Sequence, residues 1–402
     1  MHCEPLDPGD RYHQRLANIV EEMRIATGGP RIECFTVRTL GLNALAFSDL
    51  RGEGVIGVTE GALARLSRQQ LQGVVAHEFG HILLGNYVTV TVSCLLFGIY
   101  SELGDRLEEA ALATGGSRAA PFALVAILLR GWLWVLQLAS SVTNSALSRE
   151  RERQADLAAA RYTRDPLSLA EALRIISRHP GGAGYIPEGL APLCIRDTQS
   201  RIPWLFGSWR TTHPPIGERV NVLLALANVS PEHFAHQVDT AAETFDKREH
   251  WTPPPAAGGA GRRIGVETAG ATTCPSCGAG LSQADYEGLR VTVCASCGGR
   301  LVSTGEVSKM LARREVAFSD EQRRLADVLA AGGDQLRRAA LLARGRPGVD
   351  LIACPKCAKA MVRRHFSYEH AVEIDYCSIC DLFWFEKDEL ETLQILAERQ
   401  VG

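Results

Sequence analysis

His77-Glu78-Phe79-Gly80-His81 places two imidazoles four residues apart with a carboxylate between them. On a helix, positions i and i+4 share a face, so His77 and His81 point at one spot and can bind a tetrahedral zinc ion. Glu78 is offset by one residue and can reach a water bound there. Zinc lowers that water's pKa toward about 7, and a neighbouring carboxylate takes its proton as it attacks a carbonyl. Such a centre needs a third protein ligand and an open fourth position. Ser148-Arg149-Glu150-Arg151-Glu152-Arg153-Gln154-Ala155-Asp156 supplies candidates. Glu152 and Asp156 share a helix face, so Glu152 suits the metal and Asp156 the far nitrogen of a ligand histidine. Spacing alone leaves Glu150 open beside Glu152.

A second chemistry lies downstream. Eight of the twelve cysteines form Cys-x-x-Cys pairs after residue 270: Cys274/Cys277 with Cys294/Cys297, and Cys354/Cys357 with Cys377/Cys380. Close pairs at this spacing are structural zinc sites in a reducing compartment, where a secreted disulfide framework would disperse its cysteines. Each unit is too small to build a sufficient apolar core, so metal must hold it together. The zinc expected is one catalytic ion and two structural ones. The second unit resembles a transcription-factor-IIB-type zinc ribbon, through Val372–Cys377 and Phe383–Leu390. It departs from that pattern at Ala358 and Asp381, which stand where glycine usually follows each pair. Residues 354–392 carry five basic against eight acidic side chains, and the whole chain has a net charge of -3. Phosphate binding needs a basic face, so nucleic acid is not an expected partner.

The elements that must position these groups can be read along the chain. An amphipathic helix is expected over 11–26, closed by Gly28-Gly29-Pro30, then short strands at 32–37, 43–47 and 55–59. Ser67 and Gln70 form a capping box that opens the helix carrying His77. Two apolar stretches, about 82–100 and 119–142, are near the length a bilayer requires and predict a two-helix membrane hairpin. The loop between them is net negative, and Arg149, Arg151, Arg153, Arg161 and Arg164 follow the second. The positive-inside rule then puts the flanking regions on the cytoplasmic side of a multi-pass membrane protein, with the lipid bilayer as a partner. Residues 1–20 are polar and show no signal peptide. A helical stretch is expected over 143–179.

The fold class is therefore α+β: a mainly helical zincin-type peptidase domain with a small sheet and the hairpin at about 82–142, followed by two small zinc ribbons. The expected division is a peptidase domain over 1–251, a linker over 252–272, a ribbon over 273–307, a helical linker over 308–350 and a second ribbon over 351–398.

Residues 11–251 resemble the HtpX and CaaX prenyl protease type of membrane zinc peptidase. The resemblance is carried in order by Asn43–Phe47, Val55–Leu63, Val74–His81, Ser148–Asp156 and Thr212-His213-Pro214-Pro215-Ile216-Gly217-Glu218-Arg219. It implies Glu152 as the third ligand. It assigns His213 and Arg219 to the substrate site, where they would stabilise an oxyanion, and it supports the hairpin. It also makes Asn43–Phe47 the expected edge strand, with Asn43, Ala44 and Ala46 receiving an extended peptide. The activity implied is cleavage of membrane or misfolded proteins, with the ribbons recognising substrate or partner. A non-catalytic adaptor on the same fold is the alternative, and the intact Glu78 counts against it.

Overall fold

A computed structural model describes residues 3–48, 53–85, 128, 131–132, 149–179, 194–195, 214–236, 238, 273–331, 351–367 and 372–401. Helix α1 (Arg11–Thr27) is capped at its start by Asp10, which accepts the Tyr12 N–H at 2.9 Å, and stopped by left-handed Gly28. Strands β1 (Cys3–Pro5), β2 (Glu33–Val37), β3 (Ala44–Ser48) and β4 (Gly54–Thr59) form one sheet in the order β1-β2-β4-β3. The β2–β4 pair is parallel and β3 runs antiparallel to β4, which leaves β3 as an outer strand. The short helix α2 (Glu60–Arg65) follows β4 directly. Helix α3 (Arg68–Leu83) then opens on the expected capping box of Ser67 and Gln70.

Helix α3 is buried nearly all round. Leu71, Val74, Val75 and Phe79 share one core with Leu16, Ile19 and Met23 of α1 and with the inward side chains of the sheet, Ala44, Ala46, Ile56 and Val58. Its glycines set how near its neighbours come. A Cβ on Gly73 would sit 2.9 Å from the Leu169 backbone, and one on Gly80 3.1 Å from Ala155 Cα. These close approaches bring in α4 (residues 149–163) and α5 (Pro166–Arg178). The single helical stretch expected over 143–179 is thus two helices among the described residues. Left-handed Arg164 breaks it, and Asp165 and Pro166 restart it as N-cap and first helical residue. Helix α6 (Ile216–Ala227) completes this layer.

No described helix is long and apolar enough to cross a membrane. Most of the expected hairpin at about 82–142 lies outside the described residues. Helix α3 itself ends at Leu83, followed by left-handed Gly85.

The two cysteine units share one antiparallel sheet. Strands β5 (Leu281–Tyr286), β6 (Leu289–Cys294), β7 (Arg300–Ser303), β8 (Val362–His365), β9 (Glu373–Cys377) and β10 (Leu382–Phe385) run in the order β5-β6-β7-β10-β9-β8. The β7–β10 pairing, Leu382 opposite Ser303 and Phe385 opposite Arg300, joins the halves. Beneath it lie α7 (Thr304–Ala312), α8 (Asp320–Ala331) and α9 (Glu389–Val401). Their shared core includes Val302, Met310, Phe383, Phe385 and Leu393.

In the first unit, Gly278 and Gly298 follow their cysteine pairs with φ of 74° and 78°. In the second, Ala358 and Asp381 hold the same left-handed conformation at 57° and 54°. Asp381 is anchored there: it accepts the Tyr376 hydroxyl at 3.0 Å, and its carbonyl accepts the Thr304 N–H at 3.2 Å. Ala358 has no polar side chain to hold it, and a left-handed L-residue costs roughly 1–2 kcal/mol. Ala358→Gly should therefore raise stability by about 1 kcal/mol in denaturant unfolding.

The ribbon sheet is docked on the first core. Arg313, 1% exposed, donates to the Asp10 carboxylate across the boundary. Burial alone would raise the Asp10 carboxyl. The Arg313 guanidinium, then His13, outweigh it and hold Asp10 at about 2, below its ordinary 3.8. A depressed carboxyl stabilises the fold above its unfolded pKa, and that contribution disappears as pH falls through the folded value. The stability gap between wild type and Asp10→Asn should thus be full at neutral pH and shrink by about 2 kcal/mol on acidification toward pH ~2. Denaturant midpoints across that range measure it.

Candidate metal centre

Three helices and one strand converge at the buried end of α3. His77 and His81 lie one turn apart on α3, and Glu152 and Asp156 one turn apart on α4. Arg219 enters from the first turn of α6. His77, Glu78, Glu152, Asp156 and Arg219 are all buried, five ionisable groups in an apolar surround.

The donor atoms face one another. His77 Nε2 and His81 Nε2 are 3.2 Å apart. Glu152 places Oε1 3.4 Å from His81 Nε2 and Oε2 3.6 Å from His77 Nε2. Ligands on arms of 2.0–2.2 Å around a tetrahedral zinc are separated by about 3.3–3.6 Å. The two histidine nitrogens therefore stand at ligand spacing from each other, each Glu152 oxygen stands at that spacing from one of them, and the residues fit the ion. Glu150, the other carboxylate that spacing left open, is exposed and paired with Arg153 at 3.0 Å.

The other nitrogen of His77 identifies its tautomer. Nδ1 lies 2.9 Å from Asp156 Oδ1, so Nδ1–H donates to the carboxylate and Nε2 presents its lone pair to the donor cluster. Burial, and after it the Arg219 charge, hold His77 below the usual histidine range, with Asp156 pulling the other way. A neutral imidazole is the form that ligates metal. Burial would raise Asp156, but Arg219 and His77 keep it below the usual carboxylate range.

Arg219 is the hub of these charges. Its Nε and NH2 donate to the two oxygens of Asp156 at 2.9 and 2.7 Å, and its NH1 lies 3.0 Å from Glu152 Oε2. NH1 is also 3.5 Å from the Ile195 carbonyl, and NH2 3.4 Å from the His77 ring nitrogens. The guanidinium is thus directed at the side chains that hold the donor cluster. His213, the other residue expected to stabilise an oxyanion, lies outside the described residues.

Glu78 sits between the histidines in sequence and is 1% exposed. Its Oε2 is buried with no hydrogen-bond partner among the described residues. Burial first, and the Glu152 carboxylate second, push its carboxyl well above the usual range, against the pull of Arg219. A carboxylate of raised pKa suits proton transfer near neutral pH.

Strand β3 lies over α3 and is the outer strand, as expected for Asn43–Phe47. Its outer edge is partly taken. Leu45 bridges Cys194, and the Ile195 N–H donates to the Ala44 carbonyl at 2.9 Å. Of the three residues expected to receive a peptide, Asn43 is buried and bonded to Thr59, Ala44 pairs with Ile195, and Ala46 continues the edge beyond them. No sequence signal pointed to Cys194–Ile195, because two apolar residues in a loop have no periodicity.

The cysteines assemble as two further clusters, each with its four sulfurs within 4.8 Å of one another. Cys274 and Cys297 are 3.5 Å apart, as are Cys277 and Cys294, and Cys357 and Cys377 are 3.6 Å apart. A disulfide would bring sulfurs to about 2.05 Å, and tetrahedral zinc on arms of about 2.3 Å separates them by about 3.8 Å. The thiols are free and fit structural zinc.

Comparison with known proteins follows this division. The model of peptidase family M48 matches residues 10–227, and a transcription factor zinc-finger model matches 273–313. The zinc-finger match thus falls on the first cysteine unit, whereas the sequence features noted above lay in the second. A protease HtpX homolog of Caldanaerobacter subterraneus is 32% identical over 228 residues, covering 55% of this chain and 74% of the relative. Another from Dictyoglomus thermophilum is 32% identical over 54% of this chain and 71% of its own length. One from Tropheryma whipplei is 31% identical over 53% and 73%. The crystal structure of S. mikatae Ste24p overlays 55% of this chain and 50% of its own with 17% identity and a TM-score of 0.33, too slight a likeness to argue from.

Asp156→Asn should weaken metal binding at His77, His81 and Glu152 by about 10–100-fold, because the ring it orients is freed. Metal at the cysteine clusters should be unaffected. Competition with a graded series of chelators resolves the two classes.

Proposed function

The chain belongs to peptidase family M48 and is a zinc metalloprotease of the HtpX type, and from that premise we propose how its residues divide the work. His77, His81 and Glu152 hold the catalytic zinc, and the eight paired cysteines hold two structural ions. Bound zinc supplies Lewis acidity, lowering the pKa of water and polarising the scissile carbonyl. The observation that carries the assignment is the spacing of the two histidine nitrogens from each other and from the Glu152 carboxylate oxygens, 3.2 to 3.6 Å.

Glu78 is the general base. Its buried, unpartnered Oε2 accepts the proton of the attacking water and then returns it to the departing amine nitrogen. Asp156 fixes His77 in the tautomer that ligates. Arg219 compensates the paired acids and keeps Asp156 ionised. Its donors are directed at these side chains, so a positioning role suits it better than the oxyanion role the resemblance implied. His213 remains the candidate for that role. The substrate lies extended along β3, using the edge at Ala46.

Proteins of or near a membrane, or misfolded ones, are the substrate class we propose. The apolar stretches at about 82–142 and the arginines after them support a membrane anchor with the peptidase and ribbons on the cytoplasmic side. Leu128 and Trp132, in the second stretch, are exposed at 64% and 62%, in keeping with an apolar surround. The ribbons' acidic balance favours recognition of protein over nucleic acid.

Glu78→Gln should keep its full complement of zinc and lose at least about 10²-fold in turnover of an unfolded protein substrate. Metal analysis and proteolysis of wild type and variant, side by side, check both halves.

A further inference from the structure

The linker composition at 252–272 suggests that the ribbons hang free of the peptidase. The packing indicates otherwise. The β5–β6 hairpin turns at Glu287 and Gly288, both left-handed, with φ of 51° and 70°. That tip meets the first turn of α1: a Cβ on Gly288 would lie 3.0 Å from the Glu315 carboxylate and 3.1 Å from the Arg11 guanidinium. Glu315 accepts the Tyr12 hydroxyl at 2.8 Å and also pairs with Arg11. Arg313 donates to the Glu287 carbonyl at 3.0 Å as well as to Asp10, and stacks 4.3 Å over the Tyr12 ring. Ala312 belongs to the peptidase core, and Leu40 packs against both cores. Gly305, in the first turn of α7, gives room to Arg38 at 2.5 Å, where a Cβ would clash.

Leu40, in this interface, lies three residues before Asn43 at the expected substrate edge. Glu60, the first residue of α2, is 1% exposed and receives the His13 Nε2–H at 2.8 Å. The His13 Nδ1 accepts the Asp7 N–H, so Nε2 carries the proton. His13 Nε2 also lies 3.9 Å from the Asp10 carboxylate with which Arg313 of the ribbon module pairs. The residue before Glu60, Thr59, donates through Oγ1 to the Asn43 carbonyl at 3.0 Å and accepts the Asn43 N–H at 2.9 Å. Asn43 Oδ1 in turn accepts the N–H of Ala44, where β3 begins. Buried polar groups therefore lead from Arg313 through Asp10 and His13 to Glu60, whose chain neighbour Thr59 is bonded to Asn43 at the start of β3.

We infer that the joined ribbons are a structural clamp on α2 and the start of β3, so that losing metal from the cysteine clusters loosens the strand beside the metal centre. That β3 carries substrate rests on the function proposed above. The clamp itself does not.

Hydrogen exchange of the full chain tests it, and reads the protein whether or not it cleaves the peptide supplied. Wild type is compared with Arg313→Ala, which cuts the interface. A second comparison is the Cys354→Ser/Cys357→Ser double variant, which removes metal ligands and leaves the interface residues in place. In both variants, peptides spanning 42–48 and 54–64 should exchange at least about tenfold faster than in wild type, while α5 keeps its protection. If Arg313→Ala fails to fold, the cysteine variant decides alone. Free exchange over 281–303 and 362–385 in that variant, with wild-type protection at 42–64, would overturn the clamp.

Discussion

The structure turns on compensating charge at the buried end of α3. Glu78, Glu152 and Asp156 are three carboxyl groups in an apolar core, and His77 must stay neutral beside them. An unpaired buried charge is costly enough to shift its pKa or disrupt the fold. Arg219 meets that constraint by donating to both oxygens of Asp156 and standing 3.0 Å from Glu152. The consequence is a division among like groups. Asp156 stays ionised and orients a ring, Glu152 faces the histidine nitrogens, and Glu78, with the least compensation, is driven upward toward a base that can work near neutrality. Like carboxyl groups take different tasks because Arg219 pairs with Asp156 and Glu152, whereas burial and the Glu152 charge dominate at Glu78.

The same physics recurs at the second buried cluster, where Asp10, His13, Glu60 and Arg313 meet at the boundary of the two cores. There it serves docking. Hydrophobic packing of Ala312 and Leu40 would hold the halves together in many orientations, whereas buried hydrogen-bonded charges tolerate few. The ribbon sheet reinforces this: β7 pairs with β10, so the two cysteine units share one continuous sheet.

Much of this could be read in the residue pattern. Helix α3, its capping box and the strands before it follow from local periodicity and from residues three or four apart, and they stand within a residue or two of expectation. The donors His77 and His81 share one helix, so their convergence is a property of helical pitch. The break between α4 and α5 was legible in Asp165-Pro166, an N-cap followed by proline at the first helical position, and the expectation of one helical stretch over 143–179 passed over it. The merging of the ribbons was hidden, because β7 and β10 lie some 80 residues apart and nothing in either announces its partner.

Local residue pattern was enough to single out the groups that could do chemistry: a histidine pair with its carboxylate, eight paired cysteines, and the acids and arginines of 148–156. Each is a short-range pattern, and short-range geometry is dictated by the backbone. Only the tertiary structure decided between Glu150 and Glu152 as the group facing the histidines. It alone placed Arg219 on Asp156, set Cys194–Ile195 on the edge of β3, and brought Arg313 to Asp10. Those are contacts between residues 63 to 303 positions apart in the chain. They arise because burying apolar surface forces distant segments together, and the polar groups caught at the junction must then find one another.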